Sequence, residues 1–205
     1  MAETIEIVFD EAKLKNIQRL LRDIPKAFPR VISRSINKTL APVKTSMARQ
    51  LAPPLNAELA RVKAIQKTAG RKLPTKRSKK AGGKPRPFSQ FKMSTVKRNI
   101  RHQKATLNRW YGLIWIKSYK GQERQAGSGP SFIQKMPKSG HISIFKRLGA
   151  SSLPIADQIR RLMREYFSGI TAPIKQEAQE RLNRNIEDQV KLALSQWKAG
   201  AGAAA

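Results

Sequence analysis

Between Glu58 and Glu123 the chain carries no acidic residue. Over such a stretch like charges oppose compaction unless a polyanion or a counterion shell relieves them. The imbalance extends to the whole chain, in which 42 Lys and Arg stand against 13 Asp and Glu, a formal net charge of +29. Nucleic acid is the first partner this implies, with an anionic membrane surface or an acidic protein as competitors. The 205 residues suit one domain, or one domain with an elaboration. An apolar fraction of 40% with seven Phe permits a modest core. A mean hydropathy of −0.53 requires much of the surface to be wet or paired.

Cysteine is absent, which excludes disulfides, thiolate metal sites and cysteine nucleophiles. The opening "MAETIEIVFDE" is acidic and lacks the apolar core of a secretory signal. No apolar run approaches the length of a membrane span. A soluble protein made in the cytoplasm is expected.

Periodicity organises the rest. Ile5, Ile7 and Phe9 alternate as a strand (Thr4–Phe9), and Asp10 stands where a helix N-cap belongs. Leu14, Ile17, Leu20, Leu21 and Ile24 then predict a helix over Lys13–Ile24, closed by Pro25. Ile32, Ile36, Leu40, Val43, Met47 and Leu51 predict a second (Arg30–Leu51), kinked or divided at Pro42 and stopped by Pro53 and Pro54. A third is expected from Asn56 to Thr68 on Leu59, Val62 and Ile65. Trp110–Tyr119 reads as an aromatic, β-branched strand. "PSFIQKMPKSGHISIFKR", from Pro130, reads as a hairpin, with strands Phe132–Met136 and His141–Arg147 around a Pro-Lys-Ser-Gly turn. These strands and the N-terminal one are expected to form one antiparallel sheet. Leu153-Pro154 should open a helix, and Gly169 and Pro173 should separate it from a last one carrying Ile174, Ala178, Leu182, Ile186, Val190, Ala193 and Trp197.

The expected fold class is therefore α+β: a small antiparallel β-sheet packed by N-terminal helices, with long C-terminal helices and a basic loop. Its segments are 1–68 (strand and helices), 69–104 (basic Pro/Gly-rich loop or insertion), 105–150 (strands and hairpin), 151–198 (helices) and 199–205 (a tail with nothing to pack), within a single domain overall.

Catalytic constellations are missing. There is no nucleophile elbow, P-loop, Rossmann glycine pattern or paired zinc histidines. His102 and His141 have no carboxylate near them in sequence, and two imidazoles alone make a poor metal site. Glu177, Glu180, Glu187 and Asp188 cluster in the last helix, but Arg181 and Arg184 interleave with them as in ordinary surface pairing. The chain does not read as an enzyme, and no cofactor or metal is expected.

The segment "GRKLPTKRSKKAGGKPRPFSQFK" has almost nothing to bury and reads as an extended or mobile loop. One reading of it is a solvated loop that raises solubility. The other is phosphate contact, which needs charge and reach but no fixed geometry. Its candidate contacts are Arg71, Lys72, Lys76, Arg77, Lys79, Lys80, Lys84 and Arg86. No base-reading motif accompanies them.

The stretch "PSFIQKMPKSGHISIFKRLGASSLPI" resembles the signature of the minor tail protein Z family of siphophages and prophages. The resemblance rests on Phe132-Ile133, the Gly140-His141 step, an apolar run ending in Arg147, and Leu153, Pro154 and Ile155. Upstream, Ile36-Asn37 and Ala48-Arg49 within "SRSINKTLAPVKTSMARQLA" are similar to the family's N-terminal helix. It covers residues 30–65 and 105–165; the basic stretch Lys72–Phe91 departs from the family as an insertion, and so does Pro42. The resemblance implies a tail completion protein of the virion neck, assembled in the host cytoplasm, which makes the tail competent to join a DNA-filled head. It implies a homo-oligomeric ring, a hexamer by analogy with sixfold tail tubes, contacting other neck and tail proteins (terminator, tail tube, stopper or connector), with genomic DNA in its lumen and no membrane. Phe132, Ile133, Met136, Gly140, His141, Ile142, Ile144 and Phe145 then become an assembly and packing hairpin. The alternative is a cellular nucleic-acid-binding protein, ribosome- or nucleoid-associated, acting as a monomer. A third reading is a membrane-surface binder drawn by charge.

Overall fold

The computed structural model describes residues 4–76, 86–116, 131–136, 142–147 and 155–202. In chain order these form β1 (Thr4–Ile7), α1 (Glu11–Leu20), α2 (Ala27–Thr68), β2 (Thr75–Lys76), β3 (Arg86–Pro87) and α3 (Met93–Asn99). There follow β4 (Ile100–Gln103), β5 (Gly112–Ile116), β6 (Ser131–Lys135), β7 (Ile142–Arg147), β8 (Ile155–Asp157) and α4 (Ile159–Gly202). The class is α+β, as the periodicity predicts. The chain divides into two units, one of residues 1–48, 100–116 and 169–205, the other of 49–99 and 117–168. Both α2 and α4 contribute to each.

Asp10 caps α1 as expected, its carboxylate accepting from the Ala12 amide at 3.4 Å. The helices beyond it differ from expectation. Neither a division at Pro42 nor a stop at Pro53-Pro54 is found: α2 runs unbroken for 42 residues. Its buried stripe explains why. Ile32, Ile36, Leu40, Val43, Met47, Leu51, Leu55, Leu59 and Val62 recur every three or four residues with no phase break, and all are buried. Each interior proline costs about 3 kcal/mol against alanine. Each buried aliphatic side chain returns roughly 1.5–3 kcal/mol, so the stripe outweighs the prolines. Pro53 is exposed and Pro42 and Pro54 are half-buried, so they sit off the core face. The carbonyls they leave without an N–H partner, at Lys38, Arg49 and Gln50, belong to exposed or half-buried residues within reach of water. The helix ends where Gly70 adopts φ 65°. There Gly70 N–H donates to the Lys67 carbonyl and Arg71 N–H to that of Gln66, a Schellman closure.

The same competition decides α4. Leu153-Pro154 does not open a helix over Ile155, because Ile155–Asp157 forms strand β8 and the helix starts at Ile159. It then passes through Gly169 and Pro173 without a break and takes residues 199–202 of the expected tail with it. Ile159, Met163, Phe167, Ile174, Ala178, Leu182 and Ile186 form one buried stripe across the expected break, while Gly169 and Pro173 are exposed.

The expected single sheet is also corrected. Among the described residues the strands fall into three antiparallel sheets, β1-β5-β4, β2-β3 and β6-β7-β8. The N-terminal strand does pair with the Trp-rich one, Thr4 opposite Trp115 and Ile5 opposite Ile114. The second neighbour of β5 is β4, which the sequence reading assigned to the basic loop. Only a short connection separates β4 from β5, so closing that pair costs little chain entropy.

In the first unit this sheet lies on α2 so closely that a Cβ added to Gly112 would fall 2.8 Å from Ile36 Cγ2 and 3.0 Å from Leu40 Cδ2. Only glycine fits there. A polar seam joins α2 to α4 in antiparallel sense. Ser35 Oγ donates to the Asn185 carbonyl (3.3 Å), Asn185 Nδ2 to Thr39 Oγ1 (2.9 Å), and Ser46 Oγ to Glu177 Oε2 (2.5 Å). In the second unit, Ile133, Ile144 and Phe145 of the hairpin, Phe88 and Phe91, Val96 and Phe167 are all buried.

Candidate nucleic-acid interface

Of the eight candidate phosphate contacts, Arg71 and Lys72 are exposed just beyond the α2 closure. Lys76 and Arg86 occupy opposed register positions of the β2–β3 pair, and the Phe88 amide extends that pair by donating to the Pro74 carbonyl at 3.1 Å. Arg77, Lys79, Lys80 and Lys84 lie outside the described residues.

The base of this segment is built into the second unit, contrary to the expectation that it buries almost nothing. Phe88 and Phe91 are buried edge to face with ring centroids 5.2 Å apart. Asn56 on α2 grips the Phe91 peptide from both sides, accepting from its N–H at 2.7 Å and donating to its carbonyl at 3.3 Å. Lys63 donates to the Ser89 carbonyl and lies 5.9 Å from the Phe88 ring, and burial pulls its pKa below the ordinary lysine value. The basic stretch thus leaves and re-enters a packed base.

The hairpin candidates divide. Ile133, Ile142, Ile144 and Phe145 are buried within the unit, and Phe132 and Met136 are half-buried. Phe132 stands opposite Phe145, with centroids 6.3 Å apart. The Ile133 carbonyl accepts from Gln66 Nε2 of α2 at 3.4 Å. Both faces of β7 are covered, Ser143 being buried against Asp157 Oδ1 at 2.5 Å. Gly140 and His141 lie outside the described residues. Four of the apolar members therefore already serve this chain's own core.

Sequence reading missed α3 and β4, in a region assigned wholly to the basic loop. The available signal was Val96 and Ile100, four apart and fully buried. In the first unit, β4 and β5 carry Ile100, Ile114 and Ile116 on the buried face. The opposite face sets Arg101 beside Trp115 and Gln103 beside Leu113. The connection adds Lys104, Arg109, Trp110 and Tyr111. Trp110 donates its indole N–H to the Leu107 carbonyl at 2.7 Å and packs T-shaped with Phe28, ring centroids 5.1 Å apart. The Arg109 guanidinium lies 5.6 Å from the Tyr111 ring centroid. Arg101 and Lys104 are exposed and have no ion-pair partner among the described residues. His102 is held below the ordinary histidine pKa by burial first, then by Lys44 and Lys104. Cations beside exposed aromatic rings suit phosphate contact with base stacking.

Four of the described carboxylates are held in ion pairs on helices. Glu11, Glu58, Glu165 and Glu177 pair with Lys15, Arg61, Arg161 and Arg181 of their own helices. Among the described residues no three His, Asp or Glu gather to hold a metal ion, and no helix is long and apolar enough to cross a membrane. No family model, curated protein or solved structure matches this chain.

Proposed function

We propose that the chain is a structural component of a phage tail neck, a non-enzymatic tail completion protein that forms a ring at the head-proximal end and borders the DNA path. The observation that carries the nucleic-acid part is the run from Glu58 to Glu123 without a carboxylate, which includes the opposed pair Lys76 and Arg86 and the exposed Arg101 and Lys104. The tail assignment is supported by the likeness of residues 130–155 to the minor tail protein Z signature. In this reading the basic segments hold DNA by its phosphates without reading bases. Burial of Ile133, Ile142, Ile144 and Phe145 limits the hairpin's assembly role to its half-buried residues, Phe132 and Met136.

Replacing Lys76, Arg77, Lys79 and Lys80 together with Ser tests the DNA contact. Binding to unrelated duplexes should weaken about equally. The slope of log affinity against log salt should flatten by roughly 0.9 for each phosphate contact removed. Unchanged binding and slope would remove these residues from the interface. Reconstruction of the head–tail junction tests the neck assignment. A ring of copies on the tail axis supports it, whereas a monomer bound to cellular nucleic acid would favour the alternative.

A further inference from the structure

The first unit holds a cleft of about 300 Å³ where the start of α2 faces the last turns of α4, and the basic-segment reading does not account for it. Its walls are mixed, with Ile24, Val31 and Leu192 supplying aliphatic surface beside Gln189 and Gln196, and exposed Trp197 also lines it. Arg30 and Arg34, one helical turn apart, also line it; both are exposed and unpaired among the described residues. Arg30 lies in the first turn of α2, where the helix dipole disfavours a cation, and that turn contains no acidic residue. No carboxylate lines the cleft.

A second observation is independent of charge. Gln189, only 4% exposed, lines the same cleft, and its side-chain amide has no hydrogen-bond partner among the described residues. Its amide is not among the fully buried unpartnered groups, so it meets the solvent of the cleft and can bond a ligand without first breaking an internal hydrogen bond. The cleft thus offers a few aliphatic side chains, two unpaired guanidiniums and an unused amide. A volume near 300 Å³ is at the small end for ligand pockets and suits one or two aliphatic side chains.

We propose that this cleft docks an acidic, amphipathic segment of another protein. An aliphatic side chain of that segment seats between Val31 and Leu192 beside Trp197. Flanking carboxylates meet Arg30 and Arg34, and Gln189 bonds the segment's backbone. The complementarity is to an acidic partner, since two exposed guanidiniums and no carboxylate line the cleft. Aliphatic side chains beside a single ring favour a peptide over nucleic acid, which uses successive stacking surfaces. The proposal stands apart from the nucleic-acid reading.

Three labelled probes of about 15 units test it by fluorescence anisotropy: a helical Leu/Glu peptide, a Ser/Glu peptide of equal charge, and oligo-dT. The protein should bind the Leu/Glu peptide about tenfold or more tightly than the Ser/Glu peptide, as expected when a seated anchor carries the affinity. Leu192→Ser should abolish that preference. The double variant Arg30→Glu/Arg34→Glu should weaken Leu/Glu peptide binding about tenfold or more while leaving oligo-dT binding unchanged. All three residues are exposed, and circular dichroism would confirm retained helix content. Equal binding of the two peptides overturns the proposal, as does a preference that survives Leu192→Ser. Loss of oligo-dT binding in the double variant would make the cleft a nucleic-acid site and overturn it too.

Discussion

The two units solve the same packing problem with different sequence logic. Each has a three-stranded antiparallel sheet, and each uses an α2 asparagine to grip a peptide of the connecting chain. In the first unit Asn37 accepts from the Ala105 N–H at 2.9 Å and donates to its carbonyl at 3.1 Å. In the second, Asn56 does the same for Phe91. The sheets differ in how they close. β6, β7 and β8 pair in chain order, whereas β1-β5-β4 takes its edge strand from the N-terminus. The first unit also joins its two long helices through buried Ser35 and Thr39 and half-buried Asn185. Local closure lets a hairpin be read from alternation and a turn. Non-local closure depends on a side chain such as Asn37 and a vacancy such as Gly112, which no local pattern announces.

Truncating a core leucine should test the comparison hardest. Leu40→Ala in the first unit and Leu55→Ala in the second should each cost about 2–5 kcal/mol in urea unfolding, because both are fully buried. A much smaller cost at one site would show that its unit is the more loosely packed. The asparagine clamps come next. Asn37→Ala or Asn56→Ala strands a backbone N–H and a carbonyl, about 1–3 kcal/mol for each group left buried. Hydrogen exchange should accelerate at the Ala105 amide in one variant and at the Phe91 amide in the other. Exchange unchanged at either would remove that clamp from the comparison.

Pro173→Ala should act in the opposite direction. It restores an N–H for the Gly169 carbonyl inside α4 at an exposed position and should raise stability by about 2 kcal/mol, after the unfolded chain regains its freedom. A fall in the urea midpoint would mean that the proline itself packs. The smallest effect concerns pH. Because the folded state holds His102 below its ordinary value of 6.5, the unfolded chain binds the proton more readily. Stability from this residue is full above pH 6.5 and is lost as pH falls from there through the folded pKa. His102→Gln should flatten that slope. An unaltered slope would assign it to other groups.

The hairpin at Phe132–Arg147, the cap at Asp10, the α2 end at Thr68 and the antiparallel partnership of the N-terminal strand were all legible, because each rests on alternation or on a residue with one local use. Proline misled the reading of α2 and α4. At Pro42, Pro53, Pro54 and Pro173 local propensity says stop, but uninterrupted apolar stripes reward continuation more. The basic stretch misled in a related way. Its charge hid Phe88, Phe91, Val96 and Ile100, four apolar anchors spread too thinly to show a period. The cleft residues Arg30, Arg34, Gln189 and Trp197 come from opposite ends of the chain, and no spacing joins them.

Sequence alone determined the charge, the absence of thiol chemistry, the α+β class and the helical and strand stripes, since these depend on composition or on neighbours within a few residues. Tertiary structure alone decided which stripes fuse into two long helices, which strand stands beside β5, and which cations end without a carboxylate. Those outcomes depend on burial, and burial is a property of the packed chain: a proline is tolerated, a glycine required or a glutamine left unpaired only by what the rest of the molecule places against it.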